Sequence, residues 1–103
     1  MINKLTILGI EYSIDLVRGD YCSDNMGLTD FANAKIFINE SLPVDVQENV
    51  LLHELLHVCY RNGYLSKDDD EERVVEVLTN ILYPILKEAL SSGYLLRHIT
   101  KED

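Results

Sequence analysis

The stretch Asn49-Val50-Leu51-Leu52-His53-Glu54-Leu55-Leu56-His57-Val58-Cys59 decides how the chain folds. Apolar or amphipathic residues at 46, 50, 51, 55, 58 and 59 recur at the three- and four-residue steps of an α-helix. Pro43 suits the first turn, where its missing N–H costs nothing, and Gly63 is a natural C-terminal cap. The periodicity therefore predicts a helix from about 43 to 62. Leucine and valine cover much of its circumference, so it is expected to be buried. Histidines and a glutamate on such a helix need partners.

Working outward, Leu5, Ile7, Ile10, Tyr12, Ile14 and Leu16 alternate with polar neighbours and are interrupted at Gly9. That pattern predicts two short strands with a bend or bulge between them. Residues 18–27 are polar and read as a loop. A second strand pair, 28–31 and 35–39, flanks Ala32-Asn33-Ala34, with Ile36 and Ile38 alternating against Lys35, Phe37 and Asn39. Beyond the central helix, the run Asp68-Asp69-Asp70-Glu71-Glu72 places negative charge at the positive end of a second helix. That helix continues through Val74, Val75, Leu78, Leu82 and Ile85, and Pro84 predicts a kink or break near Leu82 or Tyr83. Ser91-Ser92-Gly93 ends it, leaving a short apolar segment and a charged tail. Strands followed by helices predict one α+β domain over residues 1–103, a small N-terminal antiparallel sheet and then two helices.

Composition removes several functions. No apolar run approaches the roughly 18 to 20 residues that cross a bilayer, and the N-terminus does not resemble a signal peptide. The expected location is the cytoplasm, with no membrane partner. The net charge of -9, from 18 acidic and 9 basic residues, repels phosphate backbones, so nucleic acid is not an expected partner. Cys22 and Cys59 lack Cys-x-x-Cys spacing and are expected to be reduced, which argues against a thiolate metal site.

His53 and His57 are one helical turn apart, about 40° out of register, so both imidazoles leave one face. Two nitrogens so placed can grip one zinc ion. Glu54, about 100° round from His53, flanks such an ion without ligating it. There it can take a proton from an activated water and pass it to a leaving amine. A catalytic site also needs a third protein ligand and an open fourth position. His98 lies in the tail segment without ligand-like spacing, Cys59 is on the far side of the helix from His57, and Cys22 is in the loop. A carboxylate of the second helix remains, with Glu71, Glu72 and Glu76 as candidates. On the helical wheel Glu71 falls on the apolar side, one turn before Val75, whereas Glu76, Asn80 and Lys87 cluster opposite. Tyr60, Tyr64 and Tyr83 could each supply an oxyanion donor, although with six tyrosines in the chain ordinary packing is the better account of each.

The segment Leu51-Leu52-His53-Glu54-Leu55-Leu56-His57 followed by Glu76-Val77-Leu78-Thr79-Asn80 resembles the gluzincin arrangement. Its Glu-x-x-x-Asn spacing is similar to that of the ImmA/IrrE-type metallopeptidases and related small phage-type metallopeptidases. Ile7-Leu8-Gly9-Ile10-Glu11-Tyr12, Lys35-Ile36-Phe37-Ile38-Asn39 and Ser41-Leu42-Pro43 look like the strands and turn that precede the active helix in the phage-type group. The resemblance covers about residues 4–86 and departs at Thr79, where alanine is usual, and at Pro84. It implies a minimal zincin-like fold and a zinc cofactor. Glu76 would be the third ligand beside His53 and His57, Asn80 would orient a ligand, and Glu54 would be the catalytic base. It also implies that Lys35, Ile36, Phe37, Ile38 and Asn39 present an edge to a peptide or protein substrate. The expected function is zinc-dependent peptide hydrolysis. The alternative is a zinc-binding but non-catalytic interaction or regulatory module of a phage or mobile element. The small size leaves a homodimer or protein partner to supply the missing cleft wall.

Overall fold

The structure, a computed structural model, describes residues 3–62 and 70–91. Gly63, Tyr64, Asp68, Asp69, Ser92, Gly93 and His98, on which expectations above rest, lie outside the described residues.

Strands β1 (Lys4–Ile7) and β2 (Ile10–Val17) form an antiparallel hairpin. The bend or bulge expected at Gly9 is instead a two-residue turn, Leu8-Gly9, with φ of 51° and 85°. Positive φ at both positions matches the right-handed twist of the flanking strands. The chain then passes a short 3-10 turn (Gly19–Tyr21) and enters β3 (Gly27–Asp30) and β4 (Lys35–Asn39). The four strands lie in the order β1-β2-β4-β3, with β4 antiparallel to β3 and parallel to β2. The sheet is therefore mixed, which corrects the wholly antiparallel sheet expected. The loop after β2 carries the chain past a vacant position and lays β3 at the far edge. A turn held by Asp30, whose carboxylate accepts from Asn33 N (3.2 Å) and Nδ2 (2.9 Å), returns β4 into that position alongside β2.

One sheet face is apolar because the alternation holds: Tyr12, Ile14, Ile36 and Ile38 are buried together. Helix α1 (Val44–Asn62) covers that face with buried Val50 and Val58, while Val46, Leu51 and Leu55 pack around them. Each such side chain contributes about 1.5–3 kcal/mol on burial. Asn39, at the end of β4, is buried; its Nδ2 donates to the Asn25 carbonyl (2.6 Å) and its Oδ1 accepts from Ser41 N (2.9 Å). A side chain at Gly19 would stand 2.6 Å from that Nδ2, so the loop needs glycine where it crosses the clamp.

Helix α2 (Glu71–Ser91) packs on α1 and buries Val75 and Thr79. Thr79 satisfies its own hydroxyl by donating to the Val75 carbonyl at 2.7 Å. The helix does not break at Pro84. Asn80, whose carbonyl loses its helical donor there, is exposed, so water can serve it. No helix among the described residues is long and apolar enough to cross a membrane.

Candidate metal centre

His53 and His57 leave α1 on one face, ring centroids 4.9 Å apart and planes at 65°. The first turn of α2 brings Glu72 against both. Its Oε2 lies 3.1 Å from His53 Nε2 and its Oε1 2.9 Å from His57 Nε2. One ligating atom from each of the three residues falls within 4.8 Å of the others. Donors about 2.0–2.1 Å from a tetrahedral zinc stand roughly 3.3 Å apart, so the histidine–carboxylate separations fit a shared cation after a shift of a few tenths of an ångström. Glu76, the ligand implied by the resemblance, is exposed one turn further along, and Asn80 is exposed beyond it. Neither belongs to the cluster found among the described residues.

Glu71, the residue that periodicity put on the apolar side, is indeed buried, with a side chain 6% exposed. Its Oε2 lies 2.7 Å from His57 Nδ1 and 3.3 Å from Arg61 Nε. The Arg61 guanidinium in turn lies 4.6 Å from the Phe31 ring centroid. A carboxylate on Nδ1 holds the imidazole in one orientation and leaves Nε2 for a cation. Glu71 thus partners a histidine instead of joining the ligand cluster.

Glu54 is 9% exposed. Thr29 Oγ1 donates to its Oε1 at 2.6 Å. Strand alternation explains the contact, since Thr29 pairs with Ile36 and Gly27 with Ile38, and both partners face α1. A Cβ at Gly27 would meet Val50 Cγ1 at 2.6 Å, the Phe37 carbonyl at 3.1 Å and Glu54 Oε2 at 3.3 Å. Glycine there lets β3 approach the helix. Glu54, His53, His57 and Glu72 line one cleft of about 450 Å³, with Gly27 and Thr29 on its strand side. Sequence reasoning missed Thr29, although a polar residue in register with buried Ile36 is a signal for a buried partner.

The strand expected to receive substrate needs correction. Lys35–Asn39 has both backbone edges occupied, by β2 and β3, and Ile36, Ile38 and Asn39 are buried. The outer sheet edge beside the cleft belongs to β3, Gly27–Asp30, and is closed at Gly27, whose carbonyl accepts from Ser23 N at 2.9 Å. Tyr83 is no oxyanion donor here. Its hydroxyl lies 3.0 Å from both the Asp45 carbonyl and Glu48 Oε1, in a separate groove. Burial, with smaller repulsions from Glu54 and Asp20, pushes the Cys22 thiol above its ordinary range. No family model matches this chain, and no curated protein or solved structure matches it, which leaves the residues themselves to say what the cleft does.

Proposed function

We propose that this chain is a minimal, gluzincin-like, zinc-dependent peptide hydrolase in which His53, His57 and Glu72 hold the metal. The observation that carries the reading is the convergence of three nitrogen and oxygen donors in the cleft that Glu54 also lines. Two imidazoles and one carboxylate suit zinc and leave a fourth position open. Glu72 takes the role that the resemblance gave to Glu76, and Glu71 the orienting role it gave to Asn80. When bound, the ion would polarise the scissile carbonyl and acidify a water. The protein's own groups do the rest. Glu54, steadied at Oε1 by Thr29, takes a proton from the water and hands it to the leaving amine. Beyond Gly27, whose carbonyl is taken by Ser23 N, the outer edge of β3 is the edge along which an extended peptide lies as an added strand.

A second reading has a specific observation in its favour. Glu54 is nearly buried and bound to Thr29, as a structural glutamate would be, which suits a zinc-binding module without catalysis. Glu54→Gln separates the two. Hydrolysis predicts about one equivalent of zinc in both proteins, with cleavage of a peptide library falling by roughly 100-fold or more in the variant. Unchanged cleavage would sink the mechanism. Zinc in both proteins without cleavage by either favours the module, and less than about a tenth of an equivalent of metal in the purified wild type removes both readings.

A further inference from the structure

Arg61 stands one turn beyond His57 on α1 and lines the same cleft as His53 and Glu54. Among the described residues no other lysine or arginine does so, and the carboxylates of Asp24, Glu54 and Glu72 share the wall. Its Nε faces Glu71, 3.3 Å from Oε2 and 3.4 Å from Oε1. A guanidinium carries five N–H donors, four of them on Nη1 and Nη2. Among the described residues no hydrogen bond or ion pair engages either of these two nitrogens. The side chain is 38% exposed, and the Phe31 ring, 4.6 Å from Cζ, backs it.

Positioning Glu71 accounts for Nε alone. The terminal pair of nitrogens is a planar fork that matches the two oxygens of a carboxylate. A chain of net charge -9 with an acidic cleft repels carboxylates at long range, so one that binds there needs a local cation.

The spacing says where on a substrate that carboxylate lies. Thr29 reaches Glu54, and Phe31, two residues on, reaches Arg61. A strand advances about 3.4 Å per residue, so a peptide laid along β3 covers that interval with about two of its own residues. We infer that Arg61 binds a substrate carboxylate about two residues beyond the scissile carbonyl, borne by the chain terminus or by an acidic side chain. The inference rests on the cleft being the peptide site proposed above. With a terminal carboxylate the bound end extends no further, and cleavage releases a C-terminal fragment of about two residues.

Chemical-shift titration of the full-length Glu54→Gln chain tests it without requiring a cleavage step. The probes are N-acetyl-tetra-alanine as the free acid, the same peptide as its amide, and the amide with glutamate in place of the third alanine. The free acid or the glutamate peptide should bind roughly 10-fold more tightly than the plain amide, and which of them gains identifies the source of the carboxylate. Arg61→Gln in the same background should bring the three affinities together. Arg61→Lys keeps the charge without the fork and should recover only part of the preference. Equal affinities for the three probes in the Arg61 chain, or no saturable binding of any of them up to about 10 mM, overturns the inference. A preference that survives Arg61→Gln overturns it too, because the carboxylate then sits on another group, a bound metal included. Failure of the wild type to cleave these peptides counts against the hydrolase and leaves the binding comparison to decide the role of Arg61.

Discussion

In the first turn of α2, Glu71 and Glu72 stand against α1, one buried on His57 Nδ1 and the other spanning the Nε2 atoms of both histidines. One turn later Glu76 is exposed, and Asn80 after it is exposed as well. The two turns carry the same kinds of side chain, and positions 72 and 76 differ by only about 40° around the helix. What separates them is distance along the axis. The packing of α2 on α1, with Val75 and Thr79 buried and Glu71 against His57, sets which turn of α2 passes the histidines, and hydrophobic periodicity carries no information about that axial position. A motif spacing therefore predicts a ligand only where the two helices pack at the same axial offset.

The largest effect should come from exchanging the two turns. Glu72→Ala is expected to lower zinc affinity by more than the roughly 10- to 100-fold that loss of an outer partner costs, whereas Glu76→Ala leaves it within about twofold. Competition with a chromophoric chelator measures both, and the reverse order would restore Glu76 as the ligand. Within the first turn, Glu71→Ala should cost about 10- to 100-fold in the same assay. Glu71→Gln keeps an acceptor for His57 Nδ1 and should recover part of that loss, which a purely space-filling role would not predict. The smallest effect belongs to the framework below. Thr79→Ala removes a hydroxyl already satisfied within the helix, so stability should stay within about 1 kcal/mol of wild type and zinc affinity should not move. Urea melts check the first and the chelator assay the second.

Local periodicity made much of the fold legible. The α1 helix, the two strand pairs and the long second helix follow from apolar spacing, Gly9 and Pro43, and so does the α+β order. Strand order was not legible, because alternation says which face is buried but not which neighbour a strand takes. The edge at Lys35–Asn39 came from the resemblance, alternation had no means to correct it, and the strand is central. Likewise His53, Glu54 and His57 were visible as a group because one helix holds them. Thr29, Gly27 and the choice among Glu71, Glu72 and Glu76 depend on how separate elements approach each other. The positive φ at Leu8 belongs to the same class, since a glycine marks a special conformation without saying whether it bends a strand or reverses it.

The stack of Arg61 on Phe31 has a consequence beyond the centre itself. Phe31 follows β3, Arg61 closes the last turn of α1, and Glu71 opens α2, so one guanidinium ties three elements to His57. The contacts fall at the ends of these elements, and element ends ordinarily open at little cost. Bound together, they are expected to open as one unit, so hydrogen exchange should rise together at the backbone amides ending β3 and starting α2.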